Sequence, residues 1–91
     1  MDTDKYFKTP SFQLAVFLYV KGQELVGLDW VDERKAVFVF IDTPMREYWV
    51  NVYSFGRSDD PEAMADIRKV LLSSKLLKDK LYQEKREGVN N

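Results

Sequence analysis

The sequence predicts an α+β domain with the element order α-β-β-α-α, in which an antiparallel β-hairpin packs against helices. Two observations carry this prediction. Each of the chain's three prolines follows a residue type that caps helices, in the pairs Thr9-Pro10, Thr43-Pro44 and Asp60-Pro61. Between the first two pairs, the period of the apolar pattern changes from that of a helix to that of a strand.

The proline pairs predict helix starts. Thr and Asp side chains accept hydrogen bonds from the free N–H groups of a first helical turn, and proline fits the first helical position. The 91 residues of the chain suffice for one small domain. We expect residues 1–8 and 87–91 to be frayed tails of this domain.

The first predicted helix covers residues 10–21, with Thr9 as its cap and Gly22 as a left-handed stop. It is apolar nearly all round, with two neighbouring stripes: Phe12, Ala15, Val16 and Tyr19 in one, and Leu14, Phe17 and Leu18 in the other. Such a helix must be covered on more than one side. Either the rest of the domain or another chain can supply this cover.

Two strands follow, because residues 26–31 and 36–41 alternate with a period of two. Their short charged connection, Asp32-Glu33-Arg34, predicts an antiparallel hairpin. Both faces of the second strand are apolar, so we expect both to be covered. Since a two-stranded sheet is marginal in water, helices must pack on it or a second copy must extend it. The hairpin edge is therefore a candidate homodimer contact.

Thr43 caps the second predicted helix, which ends at Gly56. The third helix is predicted to cover residues 61–85, roughly 37 Å at 1.5 Å per residue. Its main apolar stripe contains Ala63, Ile67, Val70, Leu77 and Leu81. We expect its last turns to project from the domain with basic side chains, which are Lys75, Lys78, Lys80, Lys85 and Arg86.

The chain contains no His and no Cys, and its formal net charge is -1. These absences exclude an imidazole base, a Ser-His or Cys-His nucleophile pair and a His-liganded zinc ion. We therefore predict no enzyme activity, no catalytic residue, no cofactor and no metal. Four acidic residues lie near the hairpin ends: Asp29, Asp32, Glu33 and Asp42. Their carboxylates could bind a hard cation such as Mg²⁺ or Ca²⁺. A better explanation is that these charges keep the strand edge from pairing with another chain.

The longest apolar stretch, residues 14–20, is too short to cross a bilayer, which needs about 20 residues. The first residues, Met-Asp-Thr-Asp-Lys, lack the basic region of a secretion signal. We expect no membrane association and a cytoplasmic location.

Protein binding fits the residue types best. Tyr, Trp, Phe, Met and Arg dominate interface energetics, and the chain has more of them than a small core encloses. In the competing interpretation, all of them are internal. The partner is a protein of the host or of a phage, or a second copy that contacts the first helix or the hairpin edge. The candidate partner-binding residues are Phe17, Leu18, Tyr53, Lys75, Lys78 and Arg86.

A single-stranded nucleic-acid-binding accessory protein is the alternative function. Phe38 and Phe40 lie two apart on a strand, as do the rings that stack bases in RNA-binding sheets, although a domain with one hairpin needs such rings for its core. In this alternative, the basic end of the third helix contacts phosphates and Tyr53 stacks on a base.

Several motifs follow one another along the first half of the chain: Tyr6-Phe7-Lys8-Thr9-Pro10-Ser11-Phe12-Gln13-Leu14-Ala15, Phe17-Leu18, Lys21-Gly22, Glu24-Leu25-Val26-Gly27 and Val37-Phe38-Val39-Phe40. In this order, they resemble a family of short proteins of unknown function that are encoded by phages, prophages and plasmids of bacteria. The resemblance covers residues 6–42. It implies a mobile-element context and no established activity, so it gives no catalytic residue. Within this context, our own prediction is a non-enzymatic protein-binding module that inhibits or redirects a host factor.

Overall fold

The computed structural model describes residues 5–89, with side chains as far as Lys85, and this part of the chain has a mixed α+β fold. The strands are β1 (Tyr6–Thr9), β2 (Leu25–Trp30) and β3 (Ala36–Ile41). The helices are α1 (Phe12–Val20), α2 (Pro44–Phe55) and α3 (Ile67–Val89). A short 3-10 turn, Pro61–Ala63, lies between α2 and α3. The predicted fold class is confirmed.

The sheet has the strand order β1-β3-β2, so β3 is its central strand. β1 pairs with β3 in antiparallel register, from Tyr6 opposite Ile41 to Thr9 opposite Phe38. The prediction that residues 1–8 form a tail is therefore wrong for residues 6–8, while residues 1–4 lie outside the described part. The pattern was missed because four residues are too few to show a period, and because the pairing partner lies far along the chain.

The hairpin of β2 and β3 is confirmed, with Trp30 opposite Ala36 at its closed end. The Asp32 carboxylate holds the connection, since its Oδ1 accepts hydrogen bonds from the N–H groups of Arg34 at 2.7 Å and Lys35 at 2.9 Å. Asp residues favour turns because they can bond to their own backbone in this way. A bulge interrupts the β2 register between Leu25 and Gly27.

The two faces of the sheet differ in what covers them. Phe38 and Phe40, 2% and 0% exposed, join the core that α1 and α3 complete. Val39 faces the opposite side and is also buried, but it does not belong to that core. On its side, the ammonium of Lys8 and the carboxylate of Asp29 form an ion pair of 2.9 Å between the strands that flank β3. Apolar side chains on both faces of β3 are thus shielded from water.

Helix α1 begins at Phe12, two residues later than predicted. Ser11 is its cap, with Oγ accepting from the N–H of Leu14 at 3.1 Å. Thr9 instead ends β1, and its Oγ1 accepts from the N–H of Ser11 at 3.1 Å. Gly22 follows the helix with φ 89°, as predicted for a left-handed stop. Helices α2 and α3 and strand β1 all contact α1, so the domain itself covers this helix on several sides.

Thr43 caps α2 as predicted, with Oγ1 accepting from the N–H of Arg46 at 3.2 Å. The prediction of a third helix over residues 61–85 is wrong at both ends. Asp60 caps only the 3-10 turn, because the backbone is extended at Met64 and α3 starts afresh after Asp66. The helix then runs to Val89, so residues 87–89 have helical backbone, whereas residues 90 and 91 lie outside the described part.

Helix α3 is about 34 Å long at 1.5 Å per residue and packs on α1 through Val70, Leu77 and Leu81. Lys21 at the end of α1 contacts Met64 just before α3, whereas Phe12 at the start of α1 contacts Lys78. The two helices are therefore antiparallel. The described side chains past Leu81, those of residues 82–85, do not belong to the apolar core, and the helical backbone continues to Val89.

Candidate partner-binding surface

The core of the described residues is small relative to the apolar side chains that surround it. Seven hydrophobic residues are buried, whereas fourteen large hydrophobic residues are exposed. Nine of these fourteen lie on α2 and α3. Single exposed apolar side chains are normal on protein surfaces, but clusters of them mark interaction sites.

Four of the exposed residues lie on the first three turns of α3, and we call them together the α3 apolar surface: Ile67, Leu71, Leu72 and Leu76, with exposures of 64%, 62%, 60% and 46%. Ile67 and Leu71 lie one helical turn apart, as do Leu72 and Leu76, so the four side chains make two rows along the exposed side of the helix. The prediction that Ile67 belongs to the buried stripe is wrong. A helix that packs on one neighbour buries one stripe, and Val70 and Leu77 occupy it.

Asp66 begins α3 beside this surface. Its carboxylate accepts hydrogen bonds from the guanidinium of Arg68, at 3.1 and 3.3 Å, and from the N–H of Arg68 at 2.8 Å. The Arg68 guanidinium is the main cause, and its backbone N–H the second, of a lowered pKa of the Asp66 carboxyl. The ionised carboxylate thus serves as the helix cap.

Two of the predicted basic residues of α3, Lys75 and Lys78, are exposed. The Lys75 ammonium is 3.1 Å from the carboxylate of Asp79, one turn further on. The Lys78 ammonium lies 5.8 Å from the centroid of the Phe12 ring. Arg86 lies within α3, but its side chain is outside the described part. The structure places Lys75 and Lys78 on an exposed surface and leaves Arg86 untested.

An aromatic cluster joins α1 to α2. The Phe17 ring lies 6.2 Å from that of Trp49 and 5.3 Å from that of Tyr53, measured between centroids. The Lys21 ammonium lies 5.0 Å from the Trp49 ring centroid and donates a hydrogen bond of 2.7 Å to the carbonyl of Met64. Phe17 is therefore half-buried among these groups, and Tyr53 is 40% exposed.

The prediction that Leu18 binds a partner is wrong. Leu18 is 0% exposed within the core, so this side chain has no surface to offer to a partner. The sequence pattern did not separate Leu18 from Phe17, because α1 is apolar on almost every side.

The groups that the nucleic-acid alternative needs are not brought together. Phe38 and Phe40 are buried, so their rings have no face free for stacking. Tyr53 packs on Phe17, whereas Lys78 lies over Phe12, about 7.5 Å away along α1, and α3 continues from Lys78 away from Phe17.

The acids at the hairpin ends do not converge. Asp29 pairs with Lys8, Asp42 pairs with Arg46 at 2.8 Å, and Asp32 bonds to its own turn. Within residues 5–89, no group of three or more His, Cys, Asp or Glu side chains is arranged to hold a metal ion. No helix in this part of the chain is long and apolar enough to span a membrane.

A protein-family model described as "Domain of unknown function (DUF5659)" matches residues 4–60. The matched span includes the sheet, α1 and α2, and it ends before α3. Comparison with curated proteins and with solved structures found no match.

Proposed function

The chain belongs to the DUF5659 family, a domain of unknown function, and from this premise we propose that it is a non-enzymatic protein-binding module. The α3 apolar surface is the part that contacts the partner. A partner that covers this surface shields it from water, which is the main favourable term in most protein–protein association.

The exposure of four aliphatic side chains, in two rows along α3, is the observation that carries this proposal. Fully burying one Leu or Ile is worth about 1.5–3 kcal/mol. The exposures of Ile67, Leu71, Leu72 and Leu76 lie between 46% and 64%, so a partner that covers all four gains about 5 kcal/mol from these residues. Such a gain fits the apolar centre of an interface whose rim is polar, and the other contacts of that interface must help to offset the cost of association.

The ionic neighbours of this surface favour a protein over a nucleic acid. Lys75 pairs with Asp79, and Lys80 pairs with Glu84 at 3.3 Å, so two of the basic side chains of α3 already have carboxylate partners. Tyr53 lies on another helix. Phosphate contacts dominate nucleic-acid affinity, and these pairs compete with such contacts.

We further propose that the module belongs to a phage or another mobile element, works in the cytoplasm of a bacterial host, and inhibits or redirects a host factor. The resemblance of residues 6–42 to proteins encoded by such elements supports this context.

Affinity capture from a bacterial lysate, with mass spectrometry, tests the proposal. The double variant Leu71→Glu and Leu72→Glu places two carboxylates in the α3 apolar surface and should lose the captured partner. The matched control is Asn51→Glu with Ser54→Glu, which adds the same charge at exposed positions of α2 and should retain it. Circular dichroism verifies that both variants fold.

If both double variants capture the same proteins as the parent, the α3 apolar surface is not the binding surface. Fluorescence anisotropy with a labelled single-stranded oligonucleotide provides the second arm. Binding that is tight at low salt and weakens steeply as salt rises would favour the nucleic-acid alternative over this proposal.

A further inference from the structure

A groove of about 440 Å³ lies at the closed end of the hairpin, where β2 and β3 meet the start of α1 and the middle of α3. Its apolar lining includes Phe12, Ala36, Phe38 and Leu81, one or more from each of three separate elements. The Phe12 and Phe38 rings meet edge to face at 6.0 Å between centroids, which fixes one wall. Sites that enclose a ligand group are commonly of this size and character.

Cations line this groove and lie beside it. Arg34 and Lys35 line it from the hairpin. The Lys78 ammonium does not line the groove but lies over the ring of Phe12, which does. Among the side chains that the structure describes, none of these three cations forms an ion pair with a carboxylate.

Two acids share the hairpin connection with Arg34 and Lys35. Asp32 and Glu33 precede Arg34 in sequence, but neither lines the groove. The Asp32 carboxylate is occupied by the backbone N–H groups of Arg34 and Lys35. The side chains of Arg34 and Lys35 take no part in those bonds.

We infer that this groove binds an acidic peptide segment of a protein, which inserts one large apolar side chain between the hairpin and α3. Carboxylates on either side of that side chain pair with Arg34 and Lys35 on one side and with Lys78 on the other. Cations on two sides favour a ligand with several anionic groups, whereas a fatty acid has one carboxylate. The site is separate from the α3 apolar surface, because Leu81 belongs to the buried stripe of the helix.

Titration by two-dimensional NMR of the ¹⁵N-labelled chain tests this inference. The probe is a twelve-residue peptide of Asp and Glu with a central Leu-Phe pair. We expect shifts of the backbone amides of residues 31–37 and 78–81. A peptide in which Gln and Asn replace the acids, or Ala replaces the central pair, should bind at least about tenfold more weakly, since charge and apolar anchor both contribute.

Charge reversal locates the site. The variant Arg34→Glu with Lys35→Glu should weaken binding of the probe about tenfold, and it keeps the turn because Asp32 bonds to the backbone of these residues and not to their side chains. The matched control, Arg57→Glu with Lys69→Glu, changes the net charge equally at exposed positions elsewhere and should bind like the parent. Equal weakening in both variants would overturn the inference, as would shifts outside the groove.

Three other ligands provide the remaining arms: dodecanoate, vesicles with anionic phospholipid, and a twelve-residue oligothymidylate. If any of them shifts the groove amides and the peptide does not, the peptide assignment is wrong. The lysate experiment with the Leu71 and Leu72 variants is independent of these results. A groove that binds no peptide leaves the α3 apolar surface standing, and loss of that surface leaves the groove standing.

Discussion

Two adjacent leucines of α3 offer the sharpest prediction, because they undergo the same substitution in opposite surroundings. Leu77 is 2% exposed and belongs to the core, whereas Leu76 is 46% exposed and belongs to the α3 apolar surface. We expect Leu77→Ala to lower the free energy of unfolding far more than Leu76→Ala. The comparison tests the rotation of α3, on which the proposed partner surface depends.

The magnitude follows from what each substitution removes. Leu→Ala removes three carbons, which is about 2.4 kcal/mol of transfer free energy at a buried site. The cavity at Leu77 adds to this, so Leu77→Ala should cost about 3–4 kcal/mol. At Leu76, about half of the transfer term applies and no cavity forms, which gives about 1 kcal/mol. A domain of this length has about 5–14 kcal/mol in total, so the loss at Leu77 is severe.

Urea unfolding measures both values, with circular dichroism for the helices and the fluorescence of Trp30 and Trp49 for the tertiary structure. With a slope of about 1.5 kcal/mol per molar urea, the midpoint should fall by about 2 M for Leu77→Ala and by less than about 1 M for Leu76→Ala. If the two variants unfold within about 0.5 kcal/mol of each other, α3 does not present the face that we describe, and the partner surface falls with it.

Three further predictions concern the ends of the helices. Ser11→Ala should lower the free energy of unfolding by about 1 kcal/mol, because the α1 cap is lost. An unchanged urea midpoint would show that the Ser11 side chain does not stabilise the start of α1. Gly22→Ala should cost about 1 kcal/mol more than Gly27→Ala, since only Gly22 has a positive φ and both positions have open space for a methyl group; equal thermal midpoints would contradict this. The pKa of Asp66 is lowered in the folded state, so its contribution to stability is present above the unfolded pKa and is lost as the pH falls through the folded one. Arg68→Gln should raise the pKa of Asp66 toward its ordinary value in a carboxyl NMR titration, and a curve identical to that of the parent would exclude Arg68 as the cause.

Local signals made much of the fold predictable. Thr43 and Gly22 act on backbone groups within one helical turn of their own position, and the hairpin connection can be recognised from a few consecutive residues. The start of α3 was not predictable in the same way. Asp60 does cap, as its type indicates, but Asp66 provides a second cap six residues later and the helix starts from there. Two competing caps cannot be ranked without the packing of Val70 on α1.

The candidate surfaces show the same division. The helical period places Lys75 and Lys78 away from the buried stripe, so their exposure followed from the sequence. The burial of Leu18 did not, since every side of α1 is apolar and only tertiary contacts decide which residue is innermost. The groove was beyond prediction, because Phe12, Ala36 and Leu81 come from three elements that meet only in the folded chain.

The position of β1 in the sequence predicts when this strand pairs during folding. Its partners on β3 stand 29 to 35 positions further along the chain, from Thr9 with Phe38 to Tyr6 with Ile41, and contacts at such separation form late because a long loop must close first. During synthesis, β1 is therefore made before the strand with which it pairs. We expect the hairpin of β2 and β3 to form first and β1 to dock afterwards, so that Phe7 stays uncovered until that strand is in place.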